Sequence, residues 1–124
     1  MSRRVSFGDG PGYKRCELHR SGEPVAQLVI AASGAARRRG LLKLMSMPPN
    51  TALLIRNCNN IHMIGMRFPI DVVFVTNSGR VVKINPNVKP GLRLKGTVRA
   101  RHTIEMAAGD ARRLGLKHGV SVSW

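Results

Sequence analysis

The chain has 124 residues, 43% of them hydrophobic and only 4% aromatic, which is enough apolar content for one core without disulfides or a structural metal. Its 21 lysines and arginines oppose six carboxylates, for a formal net charge of +15. Such a surface attracts polyanions, but the scarcity of aromatics argues against a single-strand stacking platform, so contact with nucleic acid is expected to be nonspecific and salt-sensitive. No segment reaches the roughly 20 apolar residues that span a bilayer, and the first residues carry no apolar run of signal-peptide length. A cytoplasmic monomer is the expectation, with export by a route lacking a visible signal as the alternative.

Residues 1–12 hold two arginines and several glycines with no apolar periodicity and read as a flexible tail, leaving 13–124 as one globular domain. Residues 14–20 and 25–32 suit two strands joined by a Ser21-Gly22 turn. Ser33 is a fitting helix cap, and 35–44 brings Ala36, Leu41 and Leu44 to one side with Arg37, Arg38 and Lys43 toward solvent, so the arginine run reads as a solvated helix face. Pro48 and Pro49 force a turn before 51–56, whose apolar run suits a core strand. Residues 70–75 and 80–84, separated by Thr76-Asn77-Ser78-Gly79, form the clearest hairpin.

From 85 to 98 the prolines, glycines and cations predict a long mobile loop. A strand over 99–106, a helix over 107–114 stopped by Gly115, and a short strand from Val120 to Trp124 complete the chain. Asp110 at the helix start and Arg112 and Arg113 in its last turn suit the helix dipole.

The candidate site centres on residues 58–75, CNNIHMIGMRFPIDVVFV, where polar, reactive and basic groups precede an apolar strand. His62 is a candidate acid or base with Asp71, Arg67 holding an anionic substrate. Cys58 could be a nucleophile with His62, but no orienting third group or oxyanion loop accompanies them. Two ligands also fall short of a zinc site, so neither metal nor cofactor is expected. Asp71, second in its strand, is better read as a carboxylate that accepts hydrogen bonds from the backbone or Arg67. Glu105 is expected to pair with Arg99, Arg101 or Arg67. Met63 and Met66 either fill the core or line an adaptable groove. Cys16 and Cys58 read as free thiols, a disulfide between them being the mark of the exported alternative.

Four blocks in order, RRRGLL at 37–42, IHMIGMRFPIDVVFV at 61–75, SGRVVKI at 78–84 and TIEMAAGDARRLGL at 103–116, resemble the bacterial and archaeal domain of unknown function 192 family over residues 24–122. The pattern matches Gly40, Leu41, Met66, Pro69, Ile70, Asp71, Phe74, Gly79, Glu105, Gly109 and Gly115. It departs at His62-Met63, where one branch has His-Thr, and at Gly119-Val120, where Gly-Asp is usual. The resemblance implies a compact, β-rich α+β domain with a barrel-like curved sheet and short helices, and no reaction. The expected role is therefore a non-enzymatic binding or accessory domain. It would contact an anionic ligand or partner protein through Arg56, His62, Met63, Met66, Arg67 and Asp71, with Glu105 and the basic Lys89, Arg93 and Lys95.

Overall fold

The computed structural model describes residues 7–124; of the expected tail over residues 1–12, residues 1–6 lie outside the described residues, while the Gly12 carbonyl accepts from Ala32 N–H at 2.7 Å and Ser33 N–H at 3.1 Å. Nine strands and two short helices follow in order: β1 (Tyr13–Arg20), β2 (Glu23–Ala31), α1 (Gly34–Arg39), β3 (Thr51–Ile55), β4 (Asn60–His62), β5 (Ile70–Val75), β6 (Val81–Val88), β7 (Arg93–Lys95), β8 (His102–Ala107), α2 (Asp110–Arg113) and β9 (Val122–Ser123). Seven of them form one mixed sheet in the order β6-β5-β8-β3-β2-β1-β9, while β4 and β7 make a separate ribbon. Among the described residues only β2 and β3 pair in parallel, joined by the crossover that contains α1. The result is the β-rich α+β domain that the sequence predicts.

Alternation along each strand sorts the core into two layers, one on each face. The first face takes Leu28, Ile30, Ala52, Leu54, Val73, Val75, Ile104 and Met106, and is covered by Ala111, Leu114 and Leu116 around α2. The second takes Val29, Ala31, Leu53, Ile55, Val72 and Phe74, and is covered by Ala36 of α1, Leu41, Met47, Met63 and Met66. Because β3 and β5 are buried on both faces, they read in sequence as unbroken apolar runs rather than as alternation.

The sheet curves until its edges meet without forming a full barrel. Val122 N–H donates to the Gly79 carbonyl at 2.8 Å and Val81 N–H to that of Val120 at 2.9 Å, around a single bridge between Arg80 and Ser121. Gly79 is required there: its φ is +94°, and a Cβ would lie 2.1 Å from the Val122 carbonyl oxygen.

Several elements differ from the sequence expectation: β4 is not anticipated, and the strand expected over 99–106 begins only at His102. The first helix spans Gly34–Arg39 rather than 35–44. Ser33 Oγ does cap it, accepting from Ala36 N–H at 3.0 Å, but Gly40 at φ 49° ends it. The chain then continues as single turns, Leu42 N–H to Arg39 and Leu44 N–H to Leu41. The expected helix over 107–114 likewise contracts to Asp110–Arg113, since Gly109 at φ 93° interrupts the chain before it. Residues 85–98 are not one loop: β6 runs on to Val88, and Arg93–Lys95 form β7. Pro86 fits within β6 because that strand lies at the edge of the ladder, where a missing N–H costs little.

Candidate functional site

Asp71 and Glu105 are both buried, at 1% and 6% exposure, yet they point to opposite faces of the sheet. Asp71 stands opposite Met106 and shares its face, whereas Glu105 stands between Leu53 on β3 and Val72 on β5, on the second face. One residue of register between them separates a structural carboxylate from one that meets a cavity.

The Asp71 carboxylate accepts three backbone N–H groups, from Asn87 at 2.9 Å, Gly109 at 3.0 Å and Ala111 at 2.9 Å. It thereby anchors the irregular end of β6 and caps α2, whose own N-cap, Gly109, has no side chain to do so. Arg67 takes no part; it extends from the surface toward Met45 Sδ. Asp110 is also structural, accepting from Asn50 N–H at 3.2 Å and pairing with Arg113 at 2.9 Å.

On the second face, α1 and the turn after it stand away from the β3–β4 connection and leave a cavity of about 580 Å³. Arg37, Arg38 and Arg39 line one side with Gly40, Leu41 and Leu42; Ile55, Cys58, Asn60, Ile61, His62 and Met66 line the other; and Glu105 contributes its carboxylate. The arginines are exposed, Glu105 is not, so charge sits at the mouth and a carboxylate lies inside. Gly40 turns directly over that group: a Cβ at this position would lie 3.9 Å from Glu105 Oε1.

Glu105 forms none of the expected arginine pairs. Its carboxylate makes no hydrogen bond or ion pair among the described residues, and burial alone pushes its pKa up to about 7. The side chains flanking it in the sheet, Leu53 and Val72, are apolar, and no cationic group among the described residues forms an ion pair with it.

The wall opposite α1 is held by backbone and side-chain bonds. Asn57 adopts a left-handed φ of 53°, donates its N–H to His102 Nδ1 at 3.1 Å, and accepts from Arg37 Nη2 through its carbonyl at 3.3 Å. Thr103 Oγ1 donates to the Cys58 carbonyl at 2.6 Å, and the Cys58 thiol to that of Asn60 at 3.0 Å. His102 is held below the usual histidine range by burial first, then by Arg101 and Arg56, and its ring meets Trp124 edge-on at 5.9 Å.

Of the residues singled out from sequence, the fold gathers Cys58, His62, Met66 and Glu105 around one cavity. Met63 is fully buried in the core beside it. Arg56 lies toward the other face, where its charge acts on Cys16 and His102; burial, against that charge, raises the Cys16 thiol. Cys16 and Cys58 pack against different core layers, and both are free. Arg93 and Lys95 stand opposite His62 and Asn60 on the β4–β7 ribbon, with Lys89 in the connection before it. The sheet thus divides His62 from Asp71, so the two do not form an acid–base pair.

Sequence reasoning did not place Arg37–Arg39, Leu41, Leu42 and Ile55 at the site; Asn60 and Ile61 lie within the expected 58–75 stretch without having been singled out. The compact RRRGLL block was the available signal, since a glycine after three arginines can turn them across a neighbouring strand. Among the described residues, no group of three or more histidine, cysteine or carboxylate side chains is disposed to hold a metal ion. Nor is any helix among them long and apolar enough to cross a membrane.

The family model for DUF192, described as uncharacterized ACR, matches residues 17–124. The chain belongs to the DUF192 family. Two solved structures share its fold. A protein of unknown function from Novosphingobium aromaticivorans DSM 12444 aligns with a TM-score of 0.74 at 22% identity, over 89% of this chain and 85% of that one. A protein from Sinorhizobium meliloti 1021, provisionally described as a transcription regulator, aligns with a TM-score of 0.81 at 20% identity, over 92% and 96%. At these identities the likeness concerns the fold alone. No curated protein matches the chain by sequence at a significant level.

Proposed function

We propose that this DUF192 domain is a non-enzymatic binding domain whose cavity between α1 and the β3–β4 connection takes a small organic anion. The observation that carries the reading is the cavity itself: an apolar wall of Leu41, Leu42, Ile55, Ile61 and Met66 beneath three adjacent exposed arginines. Concave apolar sites with a few placed polar groups are where small ligands bind, and guanidinium groups suit carboxylate and phosphate. The net charge of +15 and the cations of the β4–β7 ribbon would steer anions toward the mouth. A catalytic reading has less support, because His62 makes no hydrogen bond or ion pair with Glu105, the carboxylate that lines the same cavity, and Cys58 donates its thiol to a carbonyl.

Caproate, an apolar chain ending in a carboxylate, is a suitable probe for an amide NMR titration. Shifts confined to residues 34–42, 55–62 and 105, weakened about tenfold by Arg38→Glu with Arg39→Glu, would support the reading. Shifts elsewhere, or shifts indifferent to both substitutions, would refute it. A second reading, nonspecific nucleic-acid contact, rests on the same charge. It predicts oligonucleotide shifts on the β4–β7 ribbon that vanish toward physiological salt.

A further inference from the structure

Resting on the binding reading above, we infer that the ligand of this cavity is bipolar, with an anionic end held at the Arg37–Arg39 mouth and an amine at its inner end, facing Glu105. The inference begins with an anomaly. Glu105 is a carboxylate, 6% exposed, that lines a cavity and has no partner among the described residues. Buried carboxylates are ordinarily bonded or paired, as Asp71 is one residue of register away with three backbone donors. The fold therefore supplies full satisfaction to one buried acid and leaves the other open toward the cavity.

The other charged and titratable groups narrow what can meet it. Arg37, Arg38 and Arg39 face the cavity from α1, and Cys58 and His62 from the opposite wall; β3 and β5 flank Glu105 with Leu53 and Val72. An anion pushed to the inner end would meet a carboxylate and leave the arginines behind. A simple amine would satisfy Glu105 but would have to pass three guanidinium groups with nothing to offer them. A molecule with both charges satisfies each end, and the apolar wall between Leu41 and Ile61 accommodates a hydrocarbon spacer. Amino acids with their charges separated, short peptides and aminoalkyl phosphates share this chemistry. An ammonium beside Glu105 would also hold it ionised, against the upward push of burial, so binding near pH 6 would release a proton.

The experiment compares ε-aminocaproate with caproate and n-hexylamine by amide NMR titration of the full chain at pH 7.5. Aminocaproate is expected to bind at least tenfold more tightly than either single-charge probe, with shifts at Glu105 and its strand neighbours. Glu105→Gln should abolish the preference for aminocaproate over caproate, and an unchanged amide dispersion of the free variant shows that it is folded. Equal affinity for caproate and aminocaproate, or a preference that survives Glu105→Gln, would overturn the bipolar assignment and leave the anion site standing. Failure of both anionic probes to shift residues 34–42 and 55–62 would remove the binding reading and this inference with it.

Discussion

Glu105→Gln should stabilise the protein above neutrality and do so in a pH-dependent way. An ordinary glutamate starts near 4.5, whereas burial raises Glu105 to about 7. Between those values the folded protein holds a proton that the unfolded chain has lost, so stability falls as pH rises through the window and levels off above it. At about 1.4 kcal/mol per pH unit the full cost of ionising Glu105 in place is about 3 kcal/mol. Glutamine is close in shape to the neutral acid and cannot ionise. The stability difference between wild type and variant should therefore widen by about 2–3 kcal/mol between pH 5 and 8. Urea unfolding across that range would read it as a growing offset in midpoint, on the order of 1–2 M at pH 8. His102, lowered by burial, acts with the opposite sign: its contribution is present above the ordinary histidine range and is lost as pH falls through its lowered value. Both proteins contain it, along with Arg37–Arg39 and His62 around the cavity, so the difference isolates Glu105. Parallel curves, with an offset constant within about 0.5 kcal/mol from pH 5 to 8, would show that Glu105 ionises at its ordinary value and would refute its description as a carboxylate without a partner.

Asp71→Ala should cost about 3–5 kcal/mol, since it strands three buried N–H donors and uncaps α2; amide exchange should accelerate first at Asn87, Gly109 and Ala111, and uniform exchange with little loss of stability would contradict the capping role. Gly79→Ala should lower stability by about 2 kcal/mol or more, because the added Cβ meets the Val122 carbonyl at 2.1 Å on a backbone of φ +94°; chemical denaturation checks this, and a neutral outcome would mean that the sheet edges are not held there. His102 should show an NMR titration midpoint below 6.5; a midpoint at or above that value would deny that burial and the charges of Arg101 and Arg56 act on the ring.

Much of the fold was legible because local signals agreed with one another. Thr51–Ile55 and Ile70–Val75 are continuous apolar runs, and a strand buried on both faces needs nothing else. The Thr76-Asn77-Ser78-Gly79 turn marked its hairpin, and Ser33 marked the start of its helix. What escaped notice was set by distant partners. β4 and β7 have three residues each and no apolar alternation; they exist because Ile61 and Leu94 meet across the ribbon and pack against the second core layer. Pro86 suggested a loop because a proline in a strand is acceptable only at an edge, and edges are a property of sheet order rather than of sequence. The helix boundary at Gly40 was misjudged for a similar reason: Leu41 is buried as predicted, but by a turn rather than by a continued helix.

The candidate site turned on a subtler matter, the parity of two carboxylates on neighbouring strands. In sequence Asp71 is the more conspicuous of the two, an acid at the head of an apolar strand beside His62 and Arg67, while Glu105 reads as one acid among many arginines. Their roles follow from β5 and β8 pairing with Asp71 opposite Met106 and Val72 opposite Glu105. A slip of β5 by one residue against β8 would carry Asp71 to the face of Glu105 and strand the three donors it satisfies, while β3 holds Glu105 in place. The register is held by Val73 and Ile104 on one layer and by Val72 and Phe74 on the other, with Asp71 itself bonded to the segments at both of its sides. The structural carboxylate thus helps to fix the arrangement that leaves the other one facing the cavity. This coupling predicts that Asp71→Asn, which keeps the shape but weakens the three bonds, should alter caproate binding only as far as it loosens the fold. Its effect on affinity should disappear under conditions that restore stability, whereas the loss of aminocaproate preference in Glu105→Gln should persist under the same conditions.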